Sequence, residues 1–298
     1  MFLSTYKTTI KTLFRSPLFW FMTMLIFFMV LRKPFSVFAH VSSYTLNELI
    51  GTNDPRIIID YKLLIKQAAN SAVFFMHYAF PIFTVTSVVI ILNRDYGDNF
   101  YEIEKAAGIK PGMYLFGRLS ALITVNLLYI LICSMVSFYL FFIIHADGGV
   151  EWGRIESMSI GLFLSESIPR ILRNVIYIAW PCTLMYISLT YCVGSILKNG
   201  TSAALNSLSY ILFAELFVIY GIRTDEGIAA FYKQYLQPVP HKLLTYFYWF
   251  DTPEHEGFIN APLIKTSLEK ALICIAIFLV CSIVYITVSY IRTRRRDR

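Results

Sequence analysis

The chain has 298 residues, of which 57% are hydrophobic and only 15% charged, and its mean hydropathy is +0.60. A water-soluble domain carries roughly 25% charged residues and could not cover this much apolar surface, whereas a bilayer requires it. The formal charge of +7 is spread as an orientation signal rather than as a nucleic-acid patch, so no nucleic-acid partner is expected.

The chain opens on a patterned segment. Leu3, Tyr6, Ile10, Leu13 and Pro17 recur at a 3-4-3-4 spacing, and Lys7, Lys11 and Arg15 lie four apart on another face. The pattern predicts an amphipathic helix over 1–16, lying in the inner membrane interface with its basic stripe among anionic lipid headgroups. The alternative is a plain helical extension of the first span; a bend at Ser16-Pro17 favours the interfacial helix.

Six apolar stretches follow, at 17–31, 72–92, 119–144, 174–197, 202–221 and 271–291, against the roughly 20 residues that a helix needs to cross a bilayer. The expected fold is therefore all-α, a single transmembrane domain of about six spans. The first stretch is short, with Arg32 and Lys33 able to snorkel to the headgroups; the third is long and tilted or extended beyond the membrane. With the N-terminus inside, half of the 26 Lys and Arg fall in less than half of the loop length, led by the C-terminal RTRRRDR. The positive-inside rule then puts both ends in the cytoplasm of a cell-membrane protein.

Between spans one to two (17–92) and three to five (119–221) lies the longest cytoplasmic stretch, 93–118. Asn99 and Glu102 stand at capping-box spacing, Gly108 is a natural stop, and Pro111 prevents continuation. The spacing predicts a short helix over 100–107, with Phe100, Ile103 and Ala107 on one side and Glu102, Glu104 and Lys105 elsewhere around it. A loop with nothing to touch needs only a turn, so a capped helix suggests a docking element. The next connection, 198–201, is a tight turn with Thr201 or Ser202 as helix cap. Outside, 222–270 is dense in aromatic residues and suits the interfacial belt or a short hairpin dipping into the outer leaflet, before span six and the basic tail at 271–298.

Enzyme motifs are missing from the sequence. Gly194 and Gly200 have five residues between them where a phosphate-binding loop needs four, and no Lys follows the second glycine. There is no H-E-x-x-H or G-x-S-x-G, and the cluster Asp251, Glu254, His255 and Glu256 reads as a solvated acidic turn. The five cysteines all sit in apolar runs, at no metal-binding spacing. No metal or cofactor is expected in the chain, and no catalytic residue. Glu215 is the one acid well inside a span and a candidate for a transport pathway, with Asn126 or Tyr210 as its hydrogen-bond partner; His77 is a weaker one.

The layout resembles the membrane subunit of type-2 ABC exporters, the ABC-type-2 permeases. The resemblance covers the whole chain as architecture. In sequence it rests on Lys11-Thr-Leu-Phe-Arg15-Ser-Pro17 entering the first span. It rests also on Arg94-Asp95-Tyr96 through Glu102-Ile103-Glu104-Lys105, then Lys110-Pro111 and Gly117-Arg118 entering the third. It implies a permease dimer, of two copies or of this chain with a related one, above two ATPase subunits that hold the ATP and Mg. It also implies that Asn99, Phe100, Glu102, Ile103, Glu104 and Lys105 form the coupling helix on which the ATPase pushes, to move an amphiphilic peptide, lipid or drug outward. The competing readings are an ion-coupled secondary carrier, for which Glu215 is the only midplane acid, and a membrane-embedded enzyme or sensor.

Overall fold

Pro17 has no N–H to give to a helical ladder, and the first helix ends just before it. The computed structural model describes residues 2–28, 79–146, 180–220 and 268–295, which form eight α-helices. The first two, α1 (Phe2–Arg15) and α2 (Pro17–Phe28), meet at 68°. The Trp20 indole closes the corner by donating to the Phe14 carbonyl at 2.8 Å, one of the acceptors left without a partner where α1 stops. The expected bend at Ser16-Pro17 is thus present.

Then come α3 (Ala79–Gly97), α4 (Phe100–Ala106), α5 (Pro111–Ala146), α6 (Trp180–Leu197), α7 (Gly200–Tyr220) and α8 (Leu268–Arg295). Within α5, α6 and α8, the segments Pro111–Val136, Trp180–Leu197 and Ile275–Arg295 are long and apolar enough to cross a membrane. Counting the bent α1–α2 pair as one broken span makes four. The 36 residues of α5 reach ~54 Å, well beyond a ~30 Å hydrocarbon core, so the expected length of the third span is real. Its start differs from expectation. The helix begins at Pro111 rather than near residue 119, because proline suits the first helical position, where no N–H is needed.

Helix α6 is the most enclosed of the three, packing on α3, α5, α7 and α8. It comes close to α3 at Gly194, where an added Cβ would lie 2.4 Å from Leu92 Cδ1 and 3.2 Å from its Cγ. Small residues bring helix backbones together in this way where lipid supplies no hydrophobic drive. Helices α2, α3 and α5 meet in an aromatic cluster. Phe83 stacks on Tyr129 at 4.5 Å, Phe19 packs on both rings, and the Tyr129 hydroxyl donates to Thr23.

The two short connections are built differently from the sequence expectation. Asn99 precedes α4 in the left-handed region at φ 49° and makes no side-chain cap, so the expected capping box does not form. Asparagine tolerates that conformation, which here turns the chain. At the other end Gly108, at φ 80°, closes a Schellman motif: its N–H reaches the Lys105 carbonyl at 2.8 Å, and that of Ile109 reaches Glu104 at 3.2 Å. Before α7 the cap is Asn199, not Thr201 or Ser202; its Oδ1 accepts from both of their N–H groups, at 2.8 and 3.2 Å.

Gly194→Ala should destabilise the bundle by about 1–3 kcal/mol through overpacking against the buried Leu92. Gly97→Ala, with nothing within 4 Å of the added carbon, should be tolerated. Thermal unfolding of the detergent-solubilised chain checks the pair.

Candidate functional site

An arginine inside a helical bundle is costly unless each of its charges and donors is met. Arg118 sits two turns into α5, after Phe116 and Gly117, and is fully buried. The last turn of α3 supplies its counter-charge, Asp95, itself 2% exposed. The left-handed Asn99 and the Schellman turn at Gly108 fold the intervening chain back, so that residues 23 apart in sequence meet.

Arg118 Nη2 donates to Asp95 Oδ1 at 2.7 Å, and Nη1 to Thr9 Oγ1 of α1 at 2.9 Å. Glu104 of α4 stands further off, with Oε1 3.9 Å from Nη2, while its Oε2 accepts from Thr5 at 3.3 Å. Tyr191 of α6 reaches Asp95 Oδ2 at 3.4 Å. The guanidinium lies over the rings of Tyr114 and Phe100, at 5.0 and 5.2 Å. Arg94 covers the same Phe100 ring at 4.2 Å and donates to Thr12. Two arginines and two carboxylates thus balance to zero formal charge, held by five helices: α1, α3, α4, α5 and α6.

Burial pushes the Asp95 carboxyl above the ordinary carboxylate range, and the Arg118 guanidinium opposes this without cancelling it. Glu104 is raised for the same reason, again opposed chiefly by Arg118 and reinforced by the charge on Asp95.

The expected coupling residues divide by face. Asn99, Glu102 and Ile103 are exposed, Phe100 and Lys105 half-buried, and Glu104 is buried at 7%. Helix α4 packs inward through Tyr101 and Glu104 and turns Ile103 outward at 59% exposure. Tyr101 sets an edge against Tyr114 at 4.8 Å, and its hydroxyl donates to the Thr293 carbonyl of α8 at 3.3 Å.

The N-terminal helix has three faces rather than two. Thr5, Thr9, Thr12 and Leu13 are buried, Lys7, Lys11 and Arg15 are exposed, and Tyr6 and Ile10 are half-buried between them. Asn126 is buried but already engaged: its Oδ1 accepts from Thr84 at 2.9 Å, and its Nδ2 donates to Ser87 at 3.1 Å and to the Leu122 carbonyl at 2.8 Å. It joins α3 to α5. The side chain of Glu215, together with His77 and the whole of 222–267, lies outside the described residues. Sequence reasoning missed Thr5, Thr9, Tyr101, Tyr114 and Tyr191. The signal for the first two was a threonine stripe at positions 5, 9 and 12, in helical register between the apolar and basic faces.

No family model, curated protein or solved structure matches the chain.

Replacing Asp95 by Asn should cost about 3–5 kcal/mol, because it leaves Arg118 buried without its nearest counter-charge; Asp95→Leu with Arg118→Met should recover much of that loss. Thermal unfolding of the three proteins decides this. Both carboxyls bind protons more tightly folded than unfolded, so they cost stability as pH rises from their ordinary values of 3.8 and 4.5 through the raised ones. The melting temperature of the native chain relative to Glu104→Gln should therefore climb as pH is lowered from ~8 towards ~5. A flat or falling difference would contradict the assignment for Glu104.

Proposed function

We propose that the chain is the permease subunit of an ATP-driven exporter. It crosses the cell membrane with six helices, keeps both ends in the cytoplasm and moves an amphiphilic substrate outward. The observation that carries the reading is α4. A seven-residue helix is too short to persist in water by itself. This one is ended by a Schellman turn and held to the bundle through Tyr101 and Glu104, yet it turns Ile103 and Glu102 away from the bundle. A large apolar side chain on an anchored cytoplasmic helix is what a protein partner needs in order to push on a membrane bundle.

On this reading the ATP and Mg belong to a separate ATPase subunit that docks on Ile103, and a second copy of the chain, or a related one, completes the pathway. The exposed Lys7, Lys11 and Arg15 of α1 rest among anionic lipid headgroups. Displacement of α4 reaches α1, α3 and α5 through the Arg118 centre, and α8 through Tyr101. Transport is then a rigid-body rearrangement with no covalent step in this chain.

Ile103→Asp should leave the chain folded and abolish both copurification of an ATPase subunit and the ATP hydrolysis that accompanies it. Lys110→Ala, at an exposed position beyond the helix, should leave both intact. Purified chain that transports in vesicles on an ion gradient alone, with no ATPase, would overturn the proposal in favour of a secondary carrier.

A further inference from the structure

Arg118 is held unequally by its two acids. The Asp95 contact is 2.7 Å and joins two long helices, α3 and α5. The Glu104 contact is 3.9 Å and reaches a seven-residue helix bounded by residues in the left-handed region, Asn99 at φ 49° and Gly108 at φ 80°. We infer that Glu104 is a positioning residue that latches α4: α4 leaves its seat by separating Glu104 from Arg118 and Thr5, while Asp95 and Arg118 stay paired.

The reason is what each separation would strand. Parting Asp95 from Arg118 leaves a charge buried at the meeting point of five helices, which makes it the last contact to open. Parting Glu104 strands nothing. Arg118 keeps Asp95 and Thr9, and Glu104 moves toward the solvent that already covers the neighbouring Glu102, Ile103, Ala106 and Ala107. Thr5 lies in the first turn of α1, where its hydroxyl can turn to the carbonyl of Phe2, three residues earlier. Tyr101, one turn before Glu104 and next to the Asn99 turn, keeps its edge on Tyr114 and serves as the pivot. The device belongs to the chain alone and stands or falls apart from the transport reading.

Hydrogen–deuterium exchange on the full chain in lipid nanodiscs tests it. Seven residues released from their seat do not stay helical, so the amides of 100–107 report the opening directly. Glu104→Ala, which removes both the Arg118 contact and the acceptor for Thr5, should speed their exchange about fivefold, the scale of one lost hydrogen bond, while 2–15 and 111–136 exchange as in the native chain. Thr5→Val, which removes only the hydroxyl that Glu104 accepts from, should act in the same direction and more weakly. Asp95→Asn should instead speed exchange in α1, α3 and α5 together. Unchanged exchange at 100–107 in both Glu104→Ala and Thr5→Val, or an equal rise across α1 and α5 in either, would overturn the latch.

Discussion

A buried guanidinium must have its charge answered, and that requirement decides which of the described helices come together here, even though the Nε of Arg118 is left without a hydrogen-bond partner. Arg118 takes its counter-charge from α3, a hydroxyl from α1, a second and looser carboxylate from α4 and two aromatic faces from Phe100 and Tyr114. Tyr191 of α6 then steadies the Asp95 that steadies Arg118. Apolar packing alone would let these helices slide, since lipid and side chains are equally greasy; a charge with few permitted partners fixes the register.

The rest of the bundle shows the same division between adhesion and specification. The Phe19, Phe83 and Tyr129 cluster supplies area, while the Asn126 amide, bonded to Thr84 and Ser87, fixes how α3 and α5 are rotated against each other. Gly194 sets how near α6 can come to α3. Helix α4 has neither adhesive area nor length of its own. Its place is inherited from the turns on either side and from Tyr101 and Glu104, which is why a helix of seven residues can be both ordered and releasable.

Much of the helical layout could be read in the sequence because prolines and glycines mark helix ends by simple sterics. The break at Pro17 and the short helix ending before Gly108 follow in this way, whereas the turn expected at 198–201 runs through Lys198 at φ 52° and the Asn199 cap. The orientation of α4 could not be read. Two turns offer too few repeats for a periodic pattern, and nothing in the sequence shows that Glu104 has a buried arginine to face. Asp95 and Arg118 are visible as charges flanking apolar runs, but which charge meets which is a property of the fold. The threonines of α1 are silent because a hydroxyl reads as neutral on any hydropathy scale. Among the described residues three helices, or four with the bent pair, have the length and apolarity of membrane spans.

The contact between Thr9 and Arg118 spans 109 residues, and that between Tyr101 and Thr293 spans 192. Neither can form until its later member has left the ribosome. At a synthesis rate of roughly 5–20 residues per second, α1 waits some seconds for its buried partner, and α4 waits longer for α8. During that interval the threonine face of α1 has no arginine to bind, and the Tyr101 hydroxyl has no carbonyl from the last helix. Assembly of this part of the molecule is therefore completed only after α8 has been made.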